Sequence, residues 1–433
     1  MDLSRLRDLV RKGSGSDTPP RRELTYEPEP PPYSNAAPVL DLARMLGGRP
    51  IETAWGPCLA VERRHDLSER HGRFILRECL TSPDDAALTL LGLATDSVAA
   101  GRLAFFDIET TGLSGGAGTL AFLIGVGWLE DDGFHTSQLL LTSHAAERAL
   151  LTATAQLLKE ASTLVTYNGR TFDVPVLETR WAFHRMPVPI DGLPHVDMLH
   201  PARRLWKNRP DDCADDRSCT LVALERSLLD FVREDDVPGF EMPSRYFRYL
   251  RSGDPRPLLP VLEHNRLDLL SLAVVTMATC RLISNGPAGA RDAYECVALG
   301  RVFEHAGDPV RAEECYARAV ALHAPAPRVE ALHRLAVLHR RARRYGEAAR
   351  LWEEVTAVEN AASRVAREAL RALAIHHEHR ERDYLAARTY AQRALDTEWN
   401  AQRRRQVEHR LARLERKLVQ RKGGPLAASL IPD

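Results

Sequence analysis

Residues 103–129 read LAFFDIETTGLSGGAGTLAFLIGVGWL, and the fold follows from how that stretch divides. LAFFDIE (103–109) is an apolar run of strand length that ends in two acids, and AFLIGVGWL (121–129) is a second apolar run. Asp131-Asp132-Gly133 is a turn signal, and FHTSQLLL (134–141) supplies a third strand. The three predict an antiparallel meander. Residues 145–161 then carry apolar positions at helical spacing, and TLVTY (163–167) is a short β-branched strand. Residues 172–183 return to a helical period, with Pro175 in the first turn where it is tolerated, and HVDML (195–199) opens a fifth strand. The pattern predicts an α/β domain over 96–285, a mixed sheet flanked by helices.

Working outward, CTLVALERSLLDFV (219–232) is helical in period. PLLPVLEHNRLDLLSLAVVTMATCRLI (257–283) is apolar on more than one face, as expected of a helix packed deep against the sheet. Beyond about 290 the strand signals stop and three units align. They carry Ala298-Leu299-Gly300, Ala312 and Tyr316; Leu335-Ala336-Val337, Ala348 and Trp352; and Leu373-Ala374-Ile375, Ala386 and Tyr390. Turn signals divide each unit at Gly307-Asp308, Arg344-Tyr345-Gly346 and Arg382-Asp383. Small residues admit close helix crossing and the aromatic fills the gap, so 290–425 reads as tetratricopeptide-like helical pairs, with a generic helical bundle as the plainer alternative. A last helix near 399–420 puts Val407, Leu411, Leu414 and Leu418 on one stripe and nine Lys or Arg against two Glu over 403–422. The stripe predicts a cap. The basic face is either solvated or touches nucleic acid. Before the sheet, 41–95 is expected to form a small accessory region with strands near Cys58–Val61 and Phe74–Arg77. Residues 1–40, with GSGSDTPP and EPEPPP, are expected to be a short helix followed by an extended or disordered linker.

The chain has 433 residues, 44% of them hydrophobic, and 59 basic against 59 acidic side chains. That balance excludes a uniformly basic coat and leaves room for a local basic groove. Seven cysteines without CxxC spacing argue against a disulfide framework or a compact zinc site; Cys213 and Cys219 are the one close pair. With no apolar leader and no uninterrupted run of 18 apolar residues, a cytoplasmic location is expected.

Asp107 and Glu109 are two apart on a predicted strand and share a face. Like charges brought together in an apolar setting cost stability unless cations pair them, and hard oxygen ligands suit Mg²⁺ or Mn²⁺. A strand end where both acids reach water is the alternative. Asp173 follows the loop Tyr167-Asn168-Gly169-Arg170 at a helix start, where it also serves as a cap. His264 and Asp268, four apart, share a helix face.

FFDIETTGLSGGAGTLAFLIGVG, VTYNGRTFDVPVLETR, HVDMLHPARRLW and EHNRLDLLSL, in that order over about 97–285, resemble the YprB-like branch of the DEDD 3′→5′ exonucleases, which have ribonuclease H-like domains. The resemblance implies that Asp107, Glu109, Asp173 and Asp268 bind two divalent metal ions, Mg²⁺ or Mn²⁺, on either side of the scissile phosphate. It implies stepwise release of nucleoside 5′-monophosphates from the 3′ end of DNA or RNA. Family members carry Tyr four residues, or His five residues, before the last acid. His264 stands four before Asp268 and mixes the two patterns, so it is either the general base or a residue that orients the water. Thr110, Thr111, Gly112 and Leu113 are implied near the terminal nucleotide, with Asn168 from the second motif. The run Gly115-Gly116-Ala117-Gly118 either lets a substrate approach or makes a tight turn. Arg170, Arg203, Arg204, Lys207 and Arg209 lend local positive charge, though Arg203 and Arg204 read equally well as a solvated face. Trp206 either stacks on a base or packs in the core. His195 and Asp197 recur in the resemblance as structural or rim residues. Two further readings stand beside the exonuclease: a helical-repeat interaction scaffold with an inactive nuclease-like domain, and a ribonuclease H-type endonuclease. The repeats are expected to bind a protein partner or to brace the catalytic domain.

Overall fold

The computed structural model describes residues 39–80, 87, 102–112, 118–207, 219–358 and 364–422. The leader up to residue 38, Leu113, Gly115-Gly116-Ala117, Arg209 and Cys213 lie outside these.

The chain enters through α1 (Val39–Leu46), β1 (Arg49–Thr53) and β2 (Gly56–His65). A short hairpin follows, β3 (Arg70–His71) and β4 (Phe74–Ile75), where a longer strand near Phe74–Arg77 was expected; a 3-10 turn takes over at Leu76. The meander is β5 (Arg102–Thr110), β6 (Ala121–Glu130) and β7 (Gly133–Leu140). After it come α2 (Glu147–Leu158), β8 (Ala161–Thr166), α3 (Asp173–Phe183), β9 (His195–Asp197) and α4 (Leu199–Trp206). The sheet has seven strands in the order β1-β2-β7-β6-β5-β8-β9. Its first four pairings, β1–β2, β2–β7, β7–β6 and β6–β5, are antiparallel, while β5–β8 and β8–β9 are parallel. This is the mixed, helix-flanked sheet of the ribonuclease H-like fold. The strands β1 and β2 extend it through β7.

Alternation along β5 sorts its side chains. Ala104, Phe106 and Ile108 enter the core under α2 and α3, while Phe105 enters the core on the other face. Asp107 and Glu109 share that second face with Phe105.

The expected helix over 219–232 is shorter: α5 (Leu221–Leu224) runs into a π-turn, Glu225–Leu229, that stops at Asp230 in a left-handed conformation (φ 54°). Next come α6 (Met242–Ser252) and α7 (Leu259–Asn285). α7 is long and apolar enough to cross a membrane, yet 78% of its most apolar window is buried inside the protein. It is sandwiched between sheet and repeats, which explains its lack of a polar face.

Stacked helices complete the chain: α8 (Ala293–His305), α9 (Pro309–Ala321), α10 (Pro325–Arg341), α11 (Tyr345–Ala357), α12 (Arg364–His376), α13 (Tyr384–Thr397) and α14 (Ala401–Lys422). They pair in sequence as a helical repeat region. Gly300 shows why small residues recur: a Cβ there would sit 2.5 Å from the Tyr316 ring. The third unit departs from the aligned frame. Ile375 is 43% exposed, and the helix packs through Ala387, Ala391 and Ala394 rather than Ala386. A π-turn over His377–Glu381 precedes the shift. The basic face of α14 is partly an internal contact: Arg410, Arg413 and Lys417 all turn to Glu378, whose side chain is fully buried.

Candidate active site

Three elements converge on one end of β5. Asp107 and Glu109 come from the strand, Asp173 is the first residue of α3, and His264 and Asp268 lie one turn apart on α7. Ligand atoms of Glu109, His264 and Asp268 all fall within 4.8 Å of one another. Asp107 and Asp173 stand outside that tight group, but within reach of its field: Asp107 feels Asp268 and Asp173, and Asp173 feels Glu109 and Asp268.

A row across the sheet places Asp107. It pairs with Gly125 on β6, which pairs with Gln138 on β7. Asn265 of α7 lies over the row. Its Nδ2 donates to Asp107 Oδ2 at 2.7 Å, and its Oδ1 accepts from Gln138 Nε2 at 2.8 Å. That second bond fixes which end of the amide faces the acid. Gly125 makes room for it, since any Cβ there would come 2.3 Å from Asn265 Oδ1.

Asp268 is placed differently. The Arg233 guanidinium, 2% exposed, donates to Glu225 through Nε (2.8 Å) and Nη2 (2.6 Å), and Nη2 also donates to Asp268. Ser271 donates to Glu225 in turn, and His71 Nε2 lies 2.7 Å from the Ser271 hydroxyl. Burial pushes His71 down to about 4, so it is neutral and donates. The buried chain His71, Ser271, Glu225, Arg233, Asp268 thus ties the β3–β4 hairpin to the site.

His264 sits between carboxylates: Nδ1 is 2.6 Å from Asp236 and Nε2 is 3.2 Å from Asp268. Burial alone would lower its pKa, but the Asp268 and Asp236 contacts outweigh it and lift it to about 10. The Arg233 Nη1 contact at 3.1 Å to Nδ1 is then a close approach of two cations, since a protonated ring has no acceptor.

The acids split by environment. Burial, then neighbouring carboxylates, raise Asp107 and Glu109 well above the usual range and bring Asp173 to about 8. Asp268 is lowered: burial would raise it, but His264 and Arg233 prevail. The site therefore has more carboxylate than internal cation. Crowded carboxylates with one imidazole form a donor set that fits a hard divalent ion.

A second group, Glu130, Asp132 and His135, is also able to hold an ion. It lies at the far end of β6, five residues from Gly125, roughly 17 Å by strand rise. The two groups are not halves of one centre.

The remaining expected residues are placed as follows. Thr110 donates to the Gly112 carbonyl (2.9 Å), and the Thr111 hydroxyl accepts from Leu120 N (3.0 Å), which shapes the exit of β5. Asn168 is left-handed (φ 66°), its N–H donating to Asp197 at 2.7 Å. Arg170 N also donates to Asp197, and its guanidinium to the His195 carbonyl. Asp197 and His195 thus brace the loop that leads to Asp173. Trp206 is 3% exposed and its indole N–H bonds Glu295 of α8 at 2.9 Å, so it packs in the core and joins sheet to repeats.

The sequence reading missed Gly125, Gln138, Glu225, Arg233, Asp236 and Asn265. Gln138 alone carried a signal, an amide directly before the apolar run Leu139–Leu141. Arg233 reads as one more charge in an acidic loop.

Comparison with known proteins agrees with this architecture. Residues 104–279 match the RNase_H superfamily. Over 386 residues the chain is 31% identical to the uncharacterized protein YprB of Bacillus subtilis (strain 168), spanning 88% of this chain and 91% of that one. An α/β sheet with a carboxylate cluster suited to metal-assisted hydrolysis, followed by stacked helices and matched along nearly its whole length, makes this chain a member of the YprB family with a nuclease-like domain of the ribonuclease H superfamily.

Proposed function

We propose that the chain is a divalent-metal-dependent 3′→5′ exonuclease. One observation carries the reading: carboxylates from β5, α3 and α7 meet with too few cations, and three of them are held above their ordinary pKa. In this reading Asp107, Glu109, Asp173 and Asp268 hold two ions, Mg²⁺ or Mn²⁺. Bound there, the ions supply Lewis-acid activation of the phosphate and a water ionised near neutral pH. Asn265 and Gln138 orient Asp107, and Arg233 orients Asp268. His264 keeps its proton between Asp236 and Asp268, which assigns it the part of an orienting donor in this arrangement. Thr110, Thr111 and Gly112 border the terminal nucleotide, with Asn168 and Arg170 on the neighbouring loop; Leu113 is assigned there from the sequence resemblance alone. We assign 96–285 to this domain and read 290–425 as tetratricopeptide-like pairs.

A 5′-labelled oligonucleotide, DNA and RNA in parallel, tests the activity with Mg²⁺ or Mn²⁺. A stepwise ladder supports the exonuclease, and discrete internal cuts support a ribonuclease H-type endonuclease. The inactive-scaffold reading draws on one observation, that Asp268 already bears two cationic partners, Arg233 and His264. Absence of both Mn²⁺ binding and cleavage would favour it.

A further inference from the structure

The repeats contain an internal comparison. Positions 304, 340 and 378 are 36 and 38 residues apart, the spacing that also relates Tyr316, Trp352 and Tyr390. In the first unit Glu304 accepts from the Tyr316 hydroxyl (3.1 Å), from Arg334 (3.1 Å) and from Arg341 (2.8 Å). In the third, Glu378 accepts from Arg413 (2.7 and 2.8 Å) and Lys417 (3.0 Å) and also from Arg410. In both, the cations come from the helix two along, α10 after α8 and α14 after α12. Each of these units thus carries a carboxylate clasped by cations.

The second unit has Arg340 there instead. No carboxylate pairs with it among the described residues, and its guanidinium lies 5.6 Å from the Trp352 ring centroid. Trp352 is 3% exposed, and its indole N–H has no acceptor among the described residues. Both line a cavity of about 370 Å³, shared with His333, Arg371, Val337 and Ile375. The one acid in the wall, Glu368, is turned to His333 (3.3 Å) and Arg364 (2.9 Å). An orphaned buried N–H beside an unpaired guanidinium marks a missing acceptor.

We propose that the second repeat takes its missing carboxylate from a partner protein: an Asp or Glu side chain next to an apolar one that rests on Val337 and Ile375. Nucleic acid fits less well. A polyphosphate needs a continuous basic track, and the cations on either side are committed to Glu304 and Glu378.

The test uses the full chain and fluorescein-labelled Leu-Asp-Leu-Glu-Leu, read by anisotropy beside the isosteric Leu-Asn-Leu-Gln-Leu. The acidic peptide is expected to bind at least about 10-fold more tightly, since charge-assisted hydrogen bonds differ from neutral ones by that order. Arg340→Gln removes at least about 10-fold of that affinity. Arg340→Glu supplies the carboxylate from within, abolishes peptide binding and raises Tm. Equal affinity for the two peptides, no binding up to about 1 mM, insensitivity to Arg340→Gln, or displacement of the peptide by a single-stranded oligonucleotide would each overturn the proposal.

Discussion

Two regions of this molecule gather charge away from water, and they do so with opposite balances. At the end of β5, four acids, Asp107, Glu109, Asp173 and Asp268, have Arg233 and His264 as their near cations. At the junction of α12 and α14, one acid, Glu378, has Arg410, Arg413 and Lys417. The titration follows the balance. Asp107, Glu109 and Asp173 are pushed up, while Glu378, despite its burial, is drawn down to about 2 by Arg413 and Lys417. Glu378 is satisfied by the chain itself and works as a tie between helices. The site on β5 is left electrostatically incomplete, and incompleteness of that sign is what a bound cation relieves.

The largest effect that would sharpen the contrast is at Asp107. Asp107→Asn is expected to lower oligonucleotide hydrolysis by at least about 100-fold, beyond the 10–100-fold that outer-shell groups cost, and to weaken Mn²⁺ binding. In chelator its melting temperature equals or exceeds that of the wild type, because one crowded charge is gone. A variant that melts clearly lower in chelator breaks the comparison. Glu378→Ala has the reverse profile. It leaves three cations facing each other and costs about 2–3 kcal/mol in urea unfolding, the cost of breaking a buried pair discounted for cations that are a quarter to a third exposed. Hydrolysis per folded molecule stays at the wild-type level.

Gly125→Ala is smaller and local. Its Cβ displaces Asn265, so metal affinity or turnover falls about 10-fold, with an overpacking cost of roughly 1–3 kcal/mol. An unchanged variant would show that Asn265 does not orient Asp107. The pH dependence should show the two regions as opposite slopes of a few degrees in Tm. Glu378 goes from 4.5 to about 2 on folding, so its contribution is complete above pH 4.5 and disappears as pH falls toward 2. Asp173 goes from 3.8 to about 8, so the folded state keeps a proton that the unfolded chain has lost. Without metal, stability therefore declines as pH rises from about 4 to about 8. Thermal melts of Asp173→Asn should show a shallower alkaline slope with the acid slope unchanged, since Asp107 and Glu109 are raised as well, and those of Glu378→Gln should lose the acid slope alone.

Much of the site was legible because it is written in local periodicity. The two-residue spacing of Asp107 and Glu109 and the four-residue spacing of His264 and Asp268 state shared faces without any knowledge of the fold. Asp173 followed from its place after a strand and loop. Arg233 was not legible, because its role depends on the π-turn at Glu225–Leu229, which replaced the expected last turn of a helix. Asn265 was passed over beside His264, since its partner Gln138 is 127 residues away. The α14 cations read as a solvated or nucleic-acid face in sequence, because Glu378, which lies beneath three of them, is 32 to 39 residues away. Likewise Ala386 was expected in the core by its alignment with Ala312 and Ala348, and Ala387 is there instead.

The sequence by itself determined the strands of the meander and β8, the acids placed by local spacing, the order of sheet and repeats, and the small-and-aromatic pattern of the first two helical pairs. Each is set by the geometry of a single strand or helix turn, which neighbouring residues encode. Only the tertiary structure decided the balance of charge: which acids find a cation, which histidine stands between carboxylates, and that Arg340 meets no carboxylate among the described residues. Those outcomes depend on distances between residues far apart in the chain, and on burial, which strengthens every unpaired charge once water is removed.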